Sequence, residues 1–98
     1  MSLIAMLRIT VVESFGSTVV LRAEGRITGP WVDELRTACE VHSDIDQVWL
    51  CLELEDISFA DAAGIALLKE LRSRGVGLSR INSFIAEQLR EDSGLGQT

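Results

Sequence analysis

Long apolar runs are missing from this 98-residue chain. Nothing in it approaches the roughly 20 consecutive apolar residues that cross a bilayer as a helix, so direct membrane insertion is not expected. The opening Met1-Ser-Leu-Ile-Ala-Met6-Leu is apolar but has neither the basic start nor the hydrophobic length of a secretory leader. A soluble, cytoplasmic protein is the expectation. Positive charge is scarce too: nine Lys and Arg stand against fifteen Asp and Glu, a formal net charge of -6. That balance repels polyphosphate backbones and anionic lipid surfaces, and no basic run or aromatic ladder offsets it. A nucleic-acid role is therefore excluded.

Residues that carry chemistry are few. Cys39 and Cys51 are isolated, each inside an apolar periodic pattern, and are expected to pack as small hydrophobes rather than form a bridge or bind a metal. That usage suits a reducing compartment. His42, the one histidine, falls near a helix end, where it caps or packs. There is no Gly-x-Ser-x-Gly, no Cys/His pair and no zinc spacing. Gly25-Arg26-Ile27-Thr28-Gly29-Pro30 lacks the lysine or the dinucleotide spacing of a phosphate-cradling loop. Glu53, Glu55, Asp56 and Asp61 crowd one strand end, but without histidine or a dedicated loop they read as a solvated acidic edge that discourages aggregation. No catalytic residue, cofactor or metal is assigned, and the chain reads as a non-enzyme.

What is present is strong periodicity. At 47% hydrophobic and 24% charged residues, the chain is an ordinary globular sequence of single-domain size. The ordered core is expected over about 6–92, with 93–98 frayed. Leu7, Ile9 and Val11 alternate with Arg8, Thr10 and Val12 as a first strand, and Val19, Leu21 and Ala23 with Val20, Arg22 and Glu24 as a second, with Gly16 at the hairpin turn between them. Pro30 opens a helix whose stripe is Trp31, Leu35, Ala38, Cys39 and His42. Residues 43–46 form the next loop. The segment 47–55 alternates again, with Val48, Leu50, Leu52 and Leu54 on one face. Asp56–Asp61 reads as the strand end and a tight loop, with Asp61 as the N-cap of a helix. In that helix Ala63, Ile65, Ala66, Leu67, Leu68 and Leu71 recur, and Gly75 stops it. A short strand at 76–81 lies parallel to the central one, since a strand-helix-strand unit in one sheet crosses over that way. Asn82 or Ser83 then caps a last helix with the stripe Ile81, Phe84, Ile85 and Leu89.

The block from Leu50 through Asp61-Ala62-Ala63-Gly64-Ile65, in this order of elements, resembles the STAS domain of sulfate transporters and anti-sigma factor antagonists. The resemblance covers most of the chain. It implies an α/β fold, a four-stranded mixed sheet with about three to four amphipathic helices packed on it. It also implies a bacterial regulator of transcription that binds a protein partner, an anti-sigma factor or serine-kinase-type regulator. The contact would lie on the loop and helix start: Ser58, Asp61, Ala62, Ala63, Gly64 and Ile65. In phosphorylated members the residue after the Asp is a Ser or Thr acceptor. Here it is Ala62, so no phosphorylation is expected at that position. Ser58 is the other hydroxyl nearby, although a strand-terminal serine more often bonds local backbone. The run Ala63-Gly64-Ile65-Ala66-Leu67-Leu68 is also similar to cytosolic subunits that bind the ATPase of bacterial lipid-transport complexes, which makes a transporter ATPase subunit the alternative partner. A small-ligand or nucleotide-binding domain is the remaining alternative.

Overall fold

The computed structural model describes residues 7–43 and 49–97. The expectations for the first six residues, and for the loop beyond Ser43, lie outside the described residues. Strands β1 (Leu7–Phe15) and β2 (Thr18–Ile27) form the antiparallel hairpin, turned at Gly16, whose φ of 58° favours a residue without a Cβ. Helix α1 (Pro30–Ser43) follows, with Pro30 in the first turn, where its missing N–H costs nothing. Strand β3 (Trp49–Ala60) lies parallel to β2, and helix α2 (Ala62–Ser73) leads through Gly75, at φ 98°, to strand β4 (Gly77–Ser79), parallel to β3. Helix α3 (Ser83–Gln97) closes the described chain. The sheet order is β1-β2-β3-β4. The four-stranded mixed sheet of the sequence reading is therefore present, with three helices on it.

One layer of apolar side chains joins sheet to helices. Leu21, Ala23 and Ile27 of β2 and Leu50, Leu52 and Leu54 of β3 meet Val32, Leu35 and Cys39 of α1, Ile65, Leu67, Leu68 and Leu71 of α2, and Ile85 and Leu89 of α3. Each of the larger aliphatic side chains contributes about 1.5–3 kcal/mol by leaving water. The stripes differ in detail from the periodic reading. Ala63 and Ala66 face solvent, because α2 turns its four larger aliphatics, which gain more from burial, toward the sheet. In α1, Val32 is buried, while Trp31, Ala38 and His42 line the border. Helix α3 extends to Gln97, beyond the expected end of the core at 92, since each added residue of a formed helix gains a backbone hydrogen bond.

The larger departure is in β3. Strict alternation ends it at Glu55, yet the strand continues to Ala60. It does so by two irregularities against β2: Arg22 to Glu24 faces Glu53 to Asp56, and Gly25 to Arg26 faces Ile57 to Phe59. Each inserts one extra β3 residue, so burial passes from Leu50, Leu52 and Leu54 to Ile57 and Ala60. Asn82 holds the first irregularity. Its Nδ2 lies within hydrogen-bonding distance of the carbonyl oxygens of Leu54 (3.3 Å), Glu55 (3.2 Å) and Ile57 (2.8 Å). Its Oδ1 accepts from the Ile85 N–H at 2.9 Å and caps α3. One side chain thus stitches the bulged strand to the helix that packs over it.

Across the two central helices, Arg36 donates to both carboxylate oxygens of Glu70, at 3.0 and 2.9 Å, and Arg74 adds a contact at 3.0 Å. The hydrogen bond to Arg36 holds the Glu70 carboxyl below its ordinary range. The cysteines occupy contrasting settings. Cys39 is buried and burial pushes its thiol up to about 11, whereas Cys51 is half-buried and donates to Ser79 Oγ at 3.3 Å.

Two outcomes follow from this packing. Asn82→Ala is expected to lower stability by about 2–3 kcal/mol, because it removes a helix cap and leaves bulge carbonyls unpaired. Asn82→Ser, which keeps a cap but cannot reach the strand, should recover only part of that loss in urea unfolding. At mildly alkaline pH, iodoacetamide should alkylate Cys51 of the native chain faster than Cys39, by about tenfold or more, because the thiolate is the nucleophile. Peptide mass spectrometry reads the order directly, and equal rates would contradict it.

Candidate partner-binding surface

The junction between β3 and α2 is built around one carboxylate. Asp61 is extended, at φ -82° and ψ -177°, as an N-cap must be. Its Oδ1 accepts from the Gly64 N–H at 2.8 Å, and its Oδ2 accepts from the Gly29 N–H at 3.2 Å. Its own N–H donates to the Ile27 carbonyl at 3.2 Å, and its carbonyl accepts from Ile65 N–H at 2.9 Å. The junction is thereby tied to the end of β2 and to the loop before α1. Asp61 is thus the N-cap expected from the sequence, and the Gly64 N–H is spent on it.

Gly64 is required by a close approach. A Cβ at this position would collide with the Ile27 carbonyl oxygen and press on the Ile27 side chain. Gly64 and Ile65 are both buried. They belong to the run expected to make the contact, and their burial places them beneath the exposed turn. Gly64 points to the sheet, where Ile27 leaves room only for hydrogen. Ala62 and Ala63 are the residues of the run that face solvent. Ser58 is exposed as well, and its hydroxyl donates to the Gly25 carbonyl at 3.1 Å, across to the neighbouring strand rather than locally.

The acidic cluster is resolved by pairing. Glu53 meets Arg22 at 3.1 Å and Arg80 at 3.5 Å, and Arg80 also reaches Glu55 at 3.6 Å. The expected solvated acidic edge is, on this face, a charge-balanced ladder. Arg80, the residue after β4, makes those contacts from a backbone with φ of 51°. Sequence periodicity could not find these pairs, because they join strands far apart in the chain.

The second irregularity of β3 assembles a feature that the periodic reading misses. It sets Phe59 opposite Arg26 in register, with the Arg26 guanidinium carbon 5.1 Å from the ring centroid. Phe84, expected in the buried stripe of α3, is instead 39% exposed and stacks on Phe59, which is equally exposed, at 6.1 Å between centroids. The core beneath α3 is filled by Ile85 and Leu89, so Phe84 is turned outward. Two clefts, of about 290 Å³ between α1 and α2 and about 360 Å³ between α1 and β1, contain no residue of the Asp61 loop. No helix among the described residues is long and apolar enough to cross a membrane.

This architecture has a counterpart among solved structures. The chain matches the anti-sigma factor antagonist SpoIIAA in its unphosphorylated form with a TM-score of 0.63 and 21% sequence identity, over 91% of this chain and 83% of that one. It has the STAS fold. No protein-family model and no curated protein matches the sequence. At this identity the likeness concerns the path of the backbone.

Because Gly64 packs against backbone, Gly64→Ala is expected to cost about 1–3 kcal/mol, the range for overpacking a filled site. Ala63→Gly, one residue away on the exposed side, should cost less, up to about 1 kcal/mol from helix propensity. Chemical denaturation of the pair tests the order.

Proposed function

We propose that the chain is a non-catalytic protein-interaction module of the anti-sigma factor antagonist type, and that it meets its partner at the start of α2. The observation that carries this reading is the exposed pair Ala62 and Ala63 on a junction made rigid by Asp61 and Gly64. Small side chains allow a partner backbone to come close, and a pre-ordered surface loses little entropy on binding. Ser58 and Asp61 border the same surface. The STAS fold shared with an anti-sigma factor antagonist supports a regulatory module that binds protein.

A phosphoryl group on residue 62 would bring close to two negative charges beside Asp61 and act as an electrostatic switch. Ala62 has no oxygen to accept one. The surface is therefore constitutive at this position, and regulation by a serine kinase, if it reaches this chain, acts elsewhere.

Capture of partners from native lysate by the wild-type chain and by Ala62→Arg tests the surface. Ala62→Arg should abolish capture of the specific partner without unfolding the domain, since Ala62 is exposed. Asp61→Lys is the poorer probe, because it also removes the α2 cap. If every captured protein remains bound to Ala62→Arg, the contact lies elsewhere. The identity of the captured protein separates an anti-sigma factor or kinase from a transporter ATPase. Ala62→Ser, which restores a hydroxyl, should shift the melting temperature by no more than about 3 °C, since Ser costs little in a first helical turn.

A further inference from the structure

Exposed large apolar side chains are mostly scattered over this surface: Val11, Val41 and Trp49. Phe59 and Phe84 differ in being stacked on each other in spite of their exposure. The guanidinium over Phe59 is not spent on a carboxylate. Among the described residues Arg26 makes no ion pair, although the chain carries a net charge of -6 and Glu24 and Asp56 lie close by in the two strands. Arg22, Arg36, Arg74, Arg80 and Arg90 pair with carboxylates, whereas Arg8 and Arg72, like Arg26, make no ion pair among the described residues; Arg26 is set apart by lying over an aromatic ring. An arginine laid on an aromatic face keeps its N–H edge open and loses little side-chain entropy when an acid docks there. Phe59 lies three residues before Ala62, which limits the separation of their Cα atoms to about 11 Å.

We infer that Arg26, Phe59 and Phe84 form a docking platform for a protein segment that presents a carboxylate next to an apolar side chain. The carboxylate pairs with the Arg26 guanidinium, and the apolar group covers the phenylalanine stack. Charge complementarity selects this occupant: the platform supplies one unspent cation and an exposed aromatic face, and a basic or purely polar segment would leave the cation unmet. The inference rests on the reading of the α2 start as a partner surface and extends that surface onto β2 and α3. The second β3 irregularity creates it, by placing Phe59 rather than Ser58 opposite Arg26.

The test is a random displayed-peptide library panned on the full chain, with affinities of the selected peptides then measured on variants. Selected peptides are expected to carry Asp or Glu next to Leu, Phe or Trp. Their binding should weaken by about tenfold or more with Arg26→Gln, or when the peptide acid becomes its amide. Arg26→Lys should recover part of the loss, and added salt should weaken binding further. Phe59→Ser, checked for native circular dichroism, should weaken it comparably. Selection of peptides without an acid, failure to select any, or binding indifferent to Arg26→Gln overturns the platform. Peptides lost on Ala62→Arg but kept on Arg26→Gln leave the α2 surface standing and remove the platform. The opposite pattern keeps the platform and removes the α2 reading.

Discussion

The carboxylate of Asp61 is the contact on which the β3–α2 end of this molecule depends. It caps α2 through Gly64 and reaches across thirty-two residues of sequence to the backbone of Gly29. Without it, the first turn of α2 would lose its cap, and the loop entering α1 would lose its tie to the sheet. Gly64 is the other half of the same constraint: the helix can begin this close to Ile27 only because no Cβ stands between them. A rigid, small-residue surface is the result, and it exists because a cap and a close approach coincide in one turn.

Asn82 does for the far side of β3 what Asp61 does for its end. Parallel strands with extra residues leave carbonyls out of the ladder, and a buried orphan carbonyl is expensive. The Asn82 amide nitrogen, with two protons, lies within hydrogen-bonding distance of three carbonyls there, Ile57 the nearest, while its oxygen caps a helix. The bulged strand is thus stabilised in a shape that turns Phe59 outward beside Arg26. The two irregularities of β3 are the means by which an otherwise ordinary sheet acquires a shaped edge.

Much of this was legible in the residues. Strand and helix order, the hairpin at Gly16, the Pro30 helix start and the roles of Asp61 and Asn82 as caps follow from local chemistry, in which a residue's neighbours in sequence are also its partners. The solvent-facing Ala62 could be read the same way. Less legible was Gly64: its close approach is to Ile27, which lies on β2, far away in the chain. Phe84 fits the apolar stripe of α3 by spacing, yet the stripe is already filled by Ile85 and Leu89.

By itself, then, the sequence determined the elements, their order and which faces are apolar, because periodicity and capping act within a few residues. It also determined that position 62 carries no acceptor, a matter of composition alone. The tertiary structure decided the register of β3 on β2, the pairing of Glu53 and Glu55 with Arg22 and Arg80, and the gathering of Arg26, Phe59 and Phe84. Those depend on where one extra residue is absorbed in a long-range ladder. Since a one-residue slip sends every later side chain to the opposite face, no local pattern could have fixed them.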